Sequence, residues 1–231
     1  MFLDYYSSMI ILIPAIIFAM VAQASVKNNF AKYSKIRNYR NMSGAEAARR
    51  ILDKNGLNTV VINRVPGNLS DNYNPANRTL NLSQEVYDGK SISSVSVACH
   101  EVGHAIQHSK NYIPLKLRNS IVPAVNFASS AAWPLIILGI IMSSQSVMGG
   151  VLFNIGVITF MVVVAFHLVT LPVELNASSR AIGEMREAYI ITDEEITGAK
   201  KVLRAAAMTY VAALAVAVAN LVRILLIRGN R

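Results

Sequence analysis

The sequence predicts a mainly α integral membrane protein, with about four transmembrane helices and a small α+β domain in water. Of its 231 residues, 53% are hydrophobic and only 15% are charged, whereas an ordinary soluble domain has about 25% charged residues. The mean hydropathy is +0.40. This composition excludes a disordered chain, which needs low hydrophobicity and high charge. The single cysteine, Cys99, excludes a small scaffold held by intrachain disulfides.

Four long stretches of the chain carry almost no charge. A helix needs roughly 17–25 apolar residues to cross the hydrocarbon core of a bilayer, and each stretch is about that long. We therefore expect a transmembrane helix in each of them, at residues 9–26, 121–142, 147–171 and 205–227.

The positive charges predict how the protein is oriented. Residues 27–120 carry 14 of the 22 Lys and Arg, and residues 172–204 carry five more. Cytoplasmic loops of membrane proteins concentrate these residues, so we expect both segments in the cytoplasm and the N-terminus outside. The protein is then a multi-pass protein of the cell membrane, with the lipid bilayer as a partner. Charge that follows topology in this way excludes a nucleic-acid partner.

The two water-exposed segments contain recognisable local signals. Ser43 and Glu46 form a capping box, which opens a helix that Gly56 ends. A second capping box, at Thr192 and Glu195, opens a helix that continues into the fourth apolar stretch. The expected elements are helices at 44–54 and 91–107, strands at 60–63 and 79–83, and a loop at 71–77.

An H-E-x-x-H pattern at residues 100–104 is the strongest chemical signal. On a helix, His100 and His104 lie one turn apart on the same face, so both imidazoles can bind one metal ion. Zinc accepts neutral imidazole nitrogen. Glu101 is then placed to take a proton from the water that zinc activates. We therefore expect one Zn²⁺ ion, with Glu101 as the catalytic base.

A catalytic zinc site needs a third protein ligand. His108 is an unsuitable candidate, because eight residues of helix separate it from His100 by about 12 Å. The segment after the third apolar stretch offers Glu174, Glu184 and Glu187. Small residues follow the first of these at helical spacing and form a smooth face that can pack closely on the motif helix; they are Ala177, Ser178 and Ala181.

Several motifs together resemble the YugP-type membrane zinc metallopeptidases of bacteria. They are HEVGHAIQ at 100–107, LPVE at 171–174, ASSRA at 177–181 and DNYNPANRTLNLSQEVY at 71–87. The resemblance covers roughly residues 27–227. HtpX-type membrane proteases and CAAX prenyl endopeptidases are more distantly similar, with the same order of H-E-x-x-H, two spans and a glutamate motif.

The resemblance implies a zincin-like metallopeptidase domain in the cytoplasm. It implies His100, His104 and Glu174 as metal ligands, with Glu101 as the base. The distant relatives carry an aspartate at the position of Ser178. A serine there can still form a hydrogen bond to a ligand histidine, but it brings no charge.

Two further roles remain to be filled in such a site. A donor must stabilise the oxyanion, and the candidates are His108, His167, Arg180 and Tyr87. Zincin-like proteases also hold the peptide as an added strand at a sheet edge. The alternating segment Leu80, Asn81 and Leu82 is the expected edge.

These observations predict a membrane-embedded zinc-dependent endopeptidase. In the sequence, the H-E-x-x-H motif comes shortly before the second predicted span, and Glu174 comes just after the third. We therefore expect the active site close to the membrane surface and the substrates to be membrane proteins or peptides at the interface. One alternative is a membrane scaffold or adaptor protein with a structural metal site. Another is a zinc hydrolase that acts on lipids or other amides rather than on peptides.

Overall fold

The computed structural model describes residues 9–68, 70–142 and 146–229. Residues 1–8, which we expect outside the cell, are not among them. The chain divides into two compact units. The described residues of 22–115 and 173–208 form the first unit, and those of 1–21, 116–172 and 209–231 form the second.

The described residues are mainly helical, with one small sheet. The helices are α1 (Leu12–Tyr33), α2 (Gly44–Lys54), α3 (Gln84–Asp88), α4 (Ile92–Ser109), α5 (Ile113–Met142), α6 (Val147–Glu187) and α7 (Asp193–Gly229). The strands are β1 (Val61–Val65), β2 (Asn72–Asn74) and β3 (Thr79–Ser83).

Three helices are long and apolar enough to cross a membrane, namely Ile113–Met142, Val147–Glu187 and Asp193–Ile227. They contain the predicted spans at 121–142, 147–171 and 205–227. The predicted span at 9–26 falls largely in α1, which does not qualify within the described part of the chain. The last turns of α1 carry Lys27 and Lys32, and these charges lower the mean hydropathy of the helix.

The second unit is held together by close helix packing. Its buried cluster includes Ile136 of α5, Phe160 of α6 and Ile224 of α7. Gly139 of α5 lies directly against the backbone of Phe153, where a Cβ atom would come within 2.5 Å of that backbone. Small residues of this kind let helix backbones approach in a membrane environment.

In the first unit, α2 has the predicted ends. The Ser43 hydroxyl accepts from the Glu46 amide, and the Glu46 carboxylate accepts from the Ser43 amide. At the other end Gly56 has φ +70°, and the Gly56 and Leu57 amides donate to the carbonyls of Asp53 and Leu52. This pair of bonds is a Schellman motif, which satisfies carbonyls that the helix leaves unpaired. The capping box at Thr192 and Glu195 is present as well.

The sheet corrects two predictions. Its order is β1-β3-β2, with β1 parallel and β2 antiparallel to β3. Residues 71–77 were expected to be a loop, yet 72–74 form β2, because pairing with β3 outweighs the turn-forming composition of the segment. The expectation that Leu80, Asn81 and Leu82 form a free edge is wrong, since β3 is the central strand. The side chains of Leu80 and Leu82 are buried in the core of the first unit.

Candidate metal centre

Helix α4 presents the H-E-x-x-H residues as the sequence predicts. The helix begins after Ser91, whose hydroxyl accepts from the Ser94 amide, and it runs unbroken to Ser109. The His100 and His104 rings lie on one face and meet edge to face, with their centroids 4.8 Å apart. The opposite side of the helix is buried in the core of the first unit.

Helix α6 brings Glu174 to this pair. The Glu174 Oε2 atom lies 3.3 Å from His100 Nε2 and 3.5 Å from His104 Nε2. Ligand atoms of the three residues all lie within 4.8 Å of one another. Glu174 is only 3% exposed. The fold therefore gathers two imidazoles and one buried carboxylate at a single point.

This donor set fits a zinc ion. Ligands that sit about 2.0–2.1 Å from a tetrahedral zinc lie about 3.3–3.5 Å from each other, which is the separation found here between Glu174 and the two imidazoles. Both imidazoles turn Nε2 toward the carboxylate. When Nδ1 carries the proton, the Nε2 lone pairs face a carboxylate oxygen, and a cation between them removes the repulsion.

A hydrogen bond on the far side of the His104 ring favours that tautomer, and one on the far side of the His100 ring is compatible with it. His104 Nδ1 lies 3.0 Å from Gln107 Oε1, and His100 Nδ1 lies 3.2 Å from the Ser178 hydroxyl. An amide oxygen can only accept, so His104 carries its proton on Nδ1 and keeps Nε2 for a metal. Ser178 thus forms a neutral hydrogen bond to one of the two histidines that the resemblance implies as ligands.

Gln107 also ties the two ligand-bearing helices together. It is fully buried, and its Nε2 donates to the Val173 carbonyl at 2.8 Å and to Asn176 Oδ1 at 3.0 Å. Arg180 Nε donates to the same Asn176 oxygen at 2.8 Å. A chain of hydrogen bonds therefore runs from Arg180 through Asn176 and Gln107 to His104.

Glu101 lies beside the metal centre and contacts the sheet. Its Oε2 accepts from the Tyr73 amide of β2 at 3.0 Å. Burial raises the pKa of Glu101, although the nearby imidazoles of His100 and His104 act in the opposite direction. A carboxylate with a raised pKa holds an accepted proton better, which is the property that a general base requires.

Glycine at position 103 permits the close approach of α4 and α6. A Cβ atom there would lie 2.6 Å from the Ala177 carbonyl oxygen. Ala177 and Ala181 are both buried. The smooth face predicted on α6 is thus in contact with the motif helix, and this contact sets the position of Glu174.

The remaining sequence candidates take other positions. Glu184 and Glu187 both bind the Lys54 ammonium, at 3.1 and 2.6 Å. Tyr87 is on α3 and lines a cavity with residues of α2 and β1. His167 lies in the apolar part of α6, which belongs to the second unit. These four residues are not in the His-His-Glu cluster.

Comparison with known proteins agrees with this geometry. The sequence profile of the family described as "Putative neutral zinc metallopeptidase" matches residues 8–229. The chain belongs to this family. It is 48% identical over 209 residues to "Putative membrane protease YugP" of Bacillus subtilis (strain 168), an alignment that covers 90% of this chain and 91% of the relative. No solved structure matches the chain.

Family membership confirms the resemblance drawn from the motifs, but three residues around the centre escaped sequence reasoning. Gln107 lies within the HEVGHAIQ motif, where its spacing of three from His104 puts it on the same side of the helix. Asn176 follows Glu174 by two residues. Tyr73 lies within the motif at 71–87, but local sequence does not indicate its contact with Glu101, because only the fold brings β2 to α4.

We expect Gly103→Ala to destabilise the centre. The added methyl group meets backbone rather than a flexible side chain, so α4 and α6 must separate, at a cost of about 1–3 kcal/mol of unfolding free energy. Thermal unfolding and zinc content measure the effect. Gly183→Ala, on α6 with no atom near its Cβ position, is the matched control and should leave both unchanged or slightly raise stability. Equal behaviour of the two variants contradicts the assigned contact.

Proposed function

We propose that this protein is a membrane-embedded, zinc-dependent endopeptidase. The observation that carries the proposal is the convergence of His100 Nε2, His104 Nε2 and Glu174 Oε2 beside the carboxylate of Glu101. Family membership supports the same chemistry. The three converging residues would hold one zinc ion, and Glu101 would serve as the base.

In the proposed hydrolysis, the residues around the metal centre have separate roles. When bound, zinc supplies a Lewis acid that polarises a carbonyl group and acidifies water. Glu101 takes one proton from the attacking water, whose oxygen forms a bond to the peptide carbonyl carbon. As the C–N bond breaks, the proton held by Glu101 passes to the leaving amine nitrogen. Gln107 and Ser178 keep the imidazoles oriented throughout.

The peptide substrate is proposed to add to β2 rather than to β3. Within the described residues β2 pairs with β3 alone. The Tyr73 amide donates to Glu101 instead of to β3, so this edge faces the metal centre. An extended peptide that adds to this edge brings its backbone beside Glu101. The role first expected of Leu80–Leu82 thus passes to the neighbouring strand.

Membrane proteins or peptides at the interface are the proposed substrates. Glu174 follows the third apolar stretch by only three residues, within the same helix α6. We propose that the chain crosses the cell membrane four times, with residues 9–26 as the first span and the N-terminus outside. Residues 27–120 and 172–204 then lie in the cytoplasm, together with the active site.

Metal removal tests the proposed activity. We expect the protein, purified in detergent, to contain one zinc ion per chain and to cleave fluorescein-labelled casein. Treatment with 1,10-phenanthroline should abolish cleavage, and added zinc should restore it. Stoichiometric zinc without cleavage of casein or membrane-protein substrates favours the structural-site alternative. Cleavage of lipid amides alone favours the non-peptidase alternative.

Reporter fusions test the proposed orientation. A fusion after Lys35 should behave as cytoplasmic, because this position follows the first span and lies in the basic segment. A fusion at the N-terminus should report the outside of the cell. The reverse pattern would overturn both the proposed topology and the cytoplasmic placement of the metal centre.

A further inference from the structure

A tyrosine and a histidine form a hydrogen-bonded pair beside the metal centre. The Tyr73 hydroxyl lies 2.9 Å from His108 Nδ1, and the two rings are tilted, with their centroids 5.9 Å apart. Both side chains are partly exposed. The pair links the edge strand β2 to the last turn of α4, and neither residue belongs to the metal-binding cluster.

Tyr73 of β2 forms hydrogen bonds to two residues of α4. Its amide donates to Glu101, and its hydroxyl reaches His108. These two residues are seven positions apart, which places them two turns apart on nearly the same side of the helix. His104 lies between them along the helix axis. The Tyr73 side chain therefore extends along α4 next to His104, on the face of the helix that carries Glu101.

The pair always leaves one polar hydrogen for another acceptor. If the phenol donates to His108 Nδ1, the imidazole carries its proton on Nε2. If His108 donates from Nδ1, the phenol hydrogen is released. Burial raises the pKa of the Tyr73 phenol, so the group keeps its proton at neutral pH. Hydrogen bonds in series also strengthen one another.

Two other sequence candidates for an oxyanion donor make contacts away from Glu101 and the edge strand. Arg180 donates to Asn176, and its guanidinium lies 5.9 Å from the centre of the Tyr112 ring. Tyr87 lines a cavity with residues of α2 and β1. Arg180 connects to His104 through Asn176 and Gln107, and Tyr87 is not in the His-His-Glu cluster.

We propose that Tyr73 and His108 form the hydrogen-bond donor that stabilises the oxyanion during peptide hydrolysis. The inference rests on the proposed peptidase function. As water adds to the peptide carbonyl carbon, the carbonyl π electrons move onto oxygen, and this oxygen accepts a hydrogen bond from the pair. When the C–N bond breaks, the π bond forms again, so the pair transfers no proton overall.

Substitution of the phenol tests the inference through kinetics. Tyr73→Phe removes only the hydroxyl, so we expect kcat on casein to fall about 100-fold, as is usual for loss of one oxyanion donor. KM should change little. His108→Ala should have a similar effect, and the double variant should lose no more than the stronger single variant, since the pair acts as a unit. Tyr87→Phe is the matched control and should match wild type.

Binding provides a second readout that does not depend on turnover. Phosphoramidon carries a tetrahedral phosphoryl group that resembles the intermediate, whereas acetohydroxamate is planar. Calorimetry on the zinc-loaded variants should show that Tyr73→Phe weakens phosphoramidon binding by about 10–100-fold, with acetohydroxamate binding unchanged. Zinc content and thermal unfolding should stay at wild-type values.

The outcomes separate this inference from the proposed function. A wild-type enzyme that cleaves casein, with Tyr73→Phe equal to it in kcat and in phosphoramidon binding, overturns the oxyanion role alone. A rise in KM with kcat unchanged also overturns it, since that result shows a role in binding the peptide. Wild-type protein that cleaves neither casein nor membrane-protein substrates and does not bind phosphoramidon overturns the peptidase function, and the oxyanion role with it.

Discussion

Purified Glu174→Ala protein is expected to lose its zinc. The substitution removes one of three converging donors and leaves two imidazoles, so zinc affinity should fall by more than the roughly 10–100-fold typical for loss of an outer hydrogen-bond partner. Proteolysis should disappear with the metal. Metal analysis of the purified protein, together with chelator competition, measures the change.

Two other glutamates of the same helix serve as matched controls for Glu174. Glu184 and Glu187 bind Lys54 and are the other two glutamates that follow the third apolar stretch. Glu184→Ala and Glu187→Ala should keep one zinc per chain, with at most a small loss of stability, because partly exposed ion pairs contribute about 0–1 kcal/mol. Zinc retained in Glu174→Ala, or lost in either control, would refute the assigned third ligand.

Glu101→Gln is expected to separate metal binding from catalysis. Glutamine keeps the size of the side chain and an oxygen that can accept from the Tyr73 amide, but it cannot take a proton from water. We expect zinc content to remain at wild-type values while kcat falls by about 10²–10⁴-fold, the usual contribution of a general base. Casein cleavage and metal analysis on the same samples measure both quantities.

An exposed glutamate provides the control for Glu101. Glu85→Gln, on α3, makes the same chemical change at a solvent-exposed side chain, so activity should not change. A Glu101→Gln protein with full activity would refute the base. If the variant loses zinc as well as activity, Glu101 has a structural role at the site rather than a purely chemical one.

Much of the helical architecture could be predicted from local sequence. The two capping boxes fix where α2 and α7 begin, because each supplies its own hydrogen bonds within four residues. Long apolar runs predict α5, α6 and α7, since few other structures satisfy so many apolar side chains and backbone groups together. The first apolar stretch differs from these three, because charges enter α1 within its last turns and lower the hydropathy of the helix.

The strand order of the sheet could not be predicted from local sequence. The alternation in residues 79–83 predicts a strand correctly, but alternation does not tell how many neighbours that strand has. β2 is three residues long and rich in asparagine, so its existence depends on pairing with β3. The error of placing a free edge at Leu80–Leu82 has the same origin, since strand order is a long-range property.

Sequence alone determined the chemical identity of this protein's site, namely two histidines one helical turn apart, a glutamate beside the first, and a family signature around them. The shared face of the two histidines follows from helix periodicity, which relates residues four positions apart. Only the tertiary structure decided which strand faces the base, and it brought Glu174, which the resemblance already implied as the third ligand, to the histidines. It also decided that Tyr73 lies against His108. Those contacts join residues 28 to 74 positions apart, and they depend on the packing of Gly103 against Ala177 and on strand order, neither of which local patterns specify.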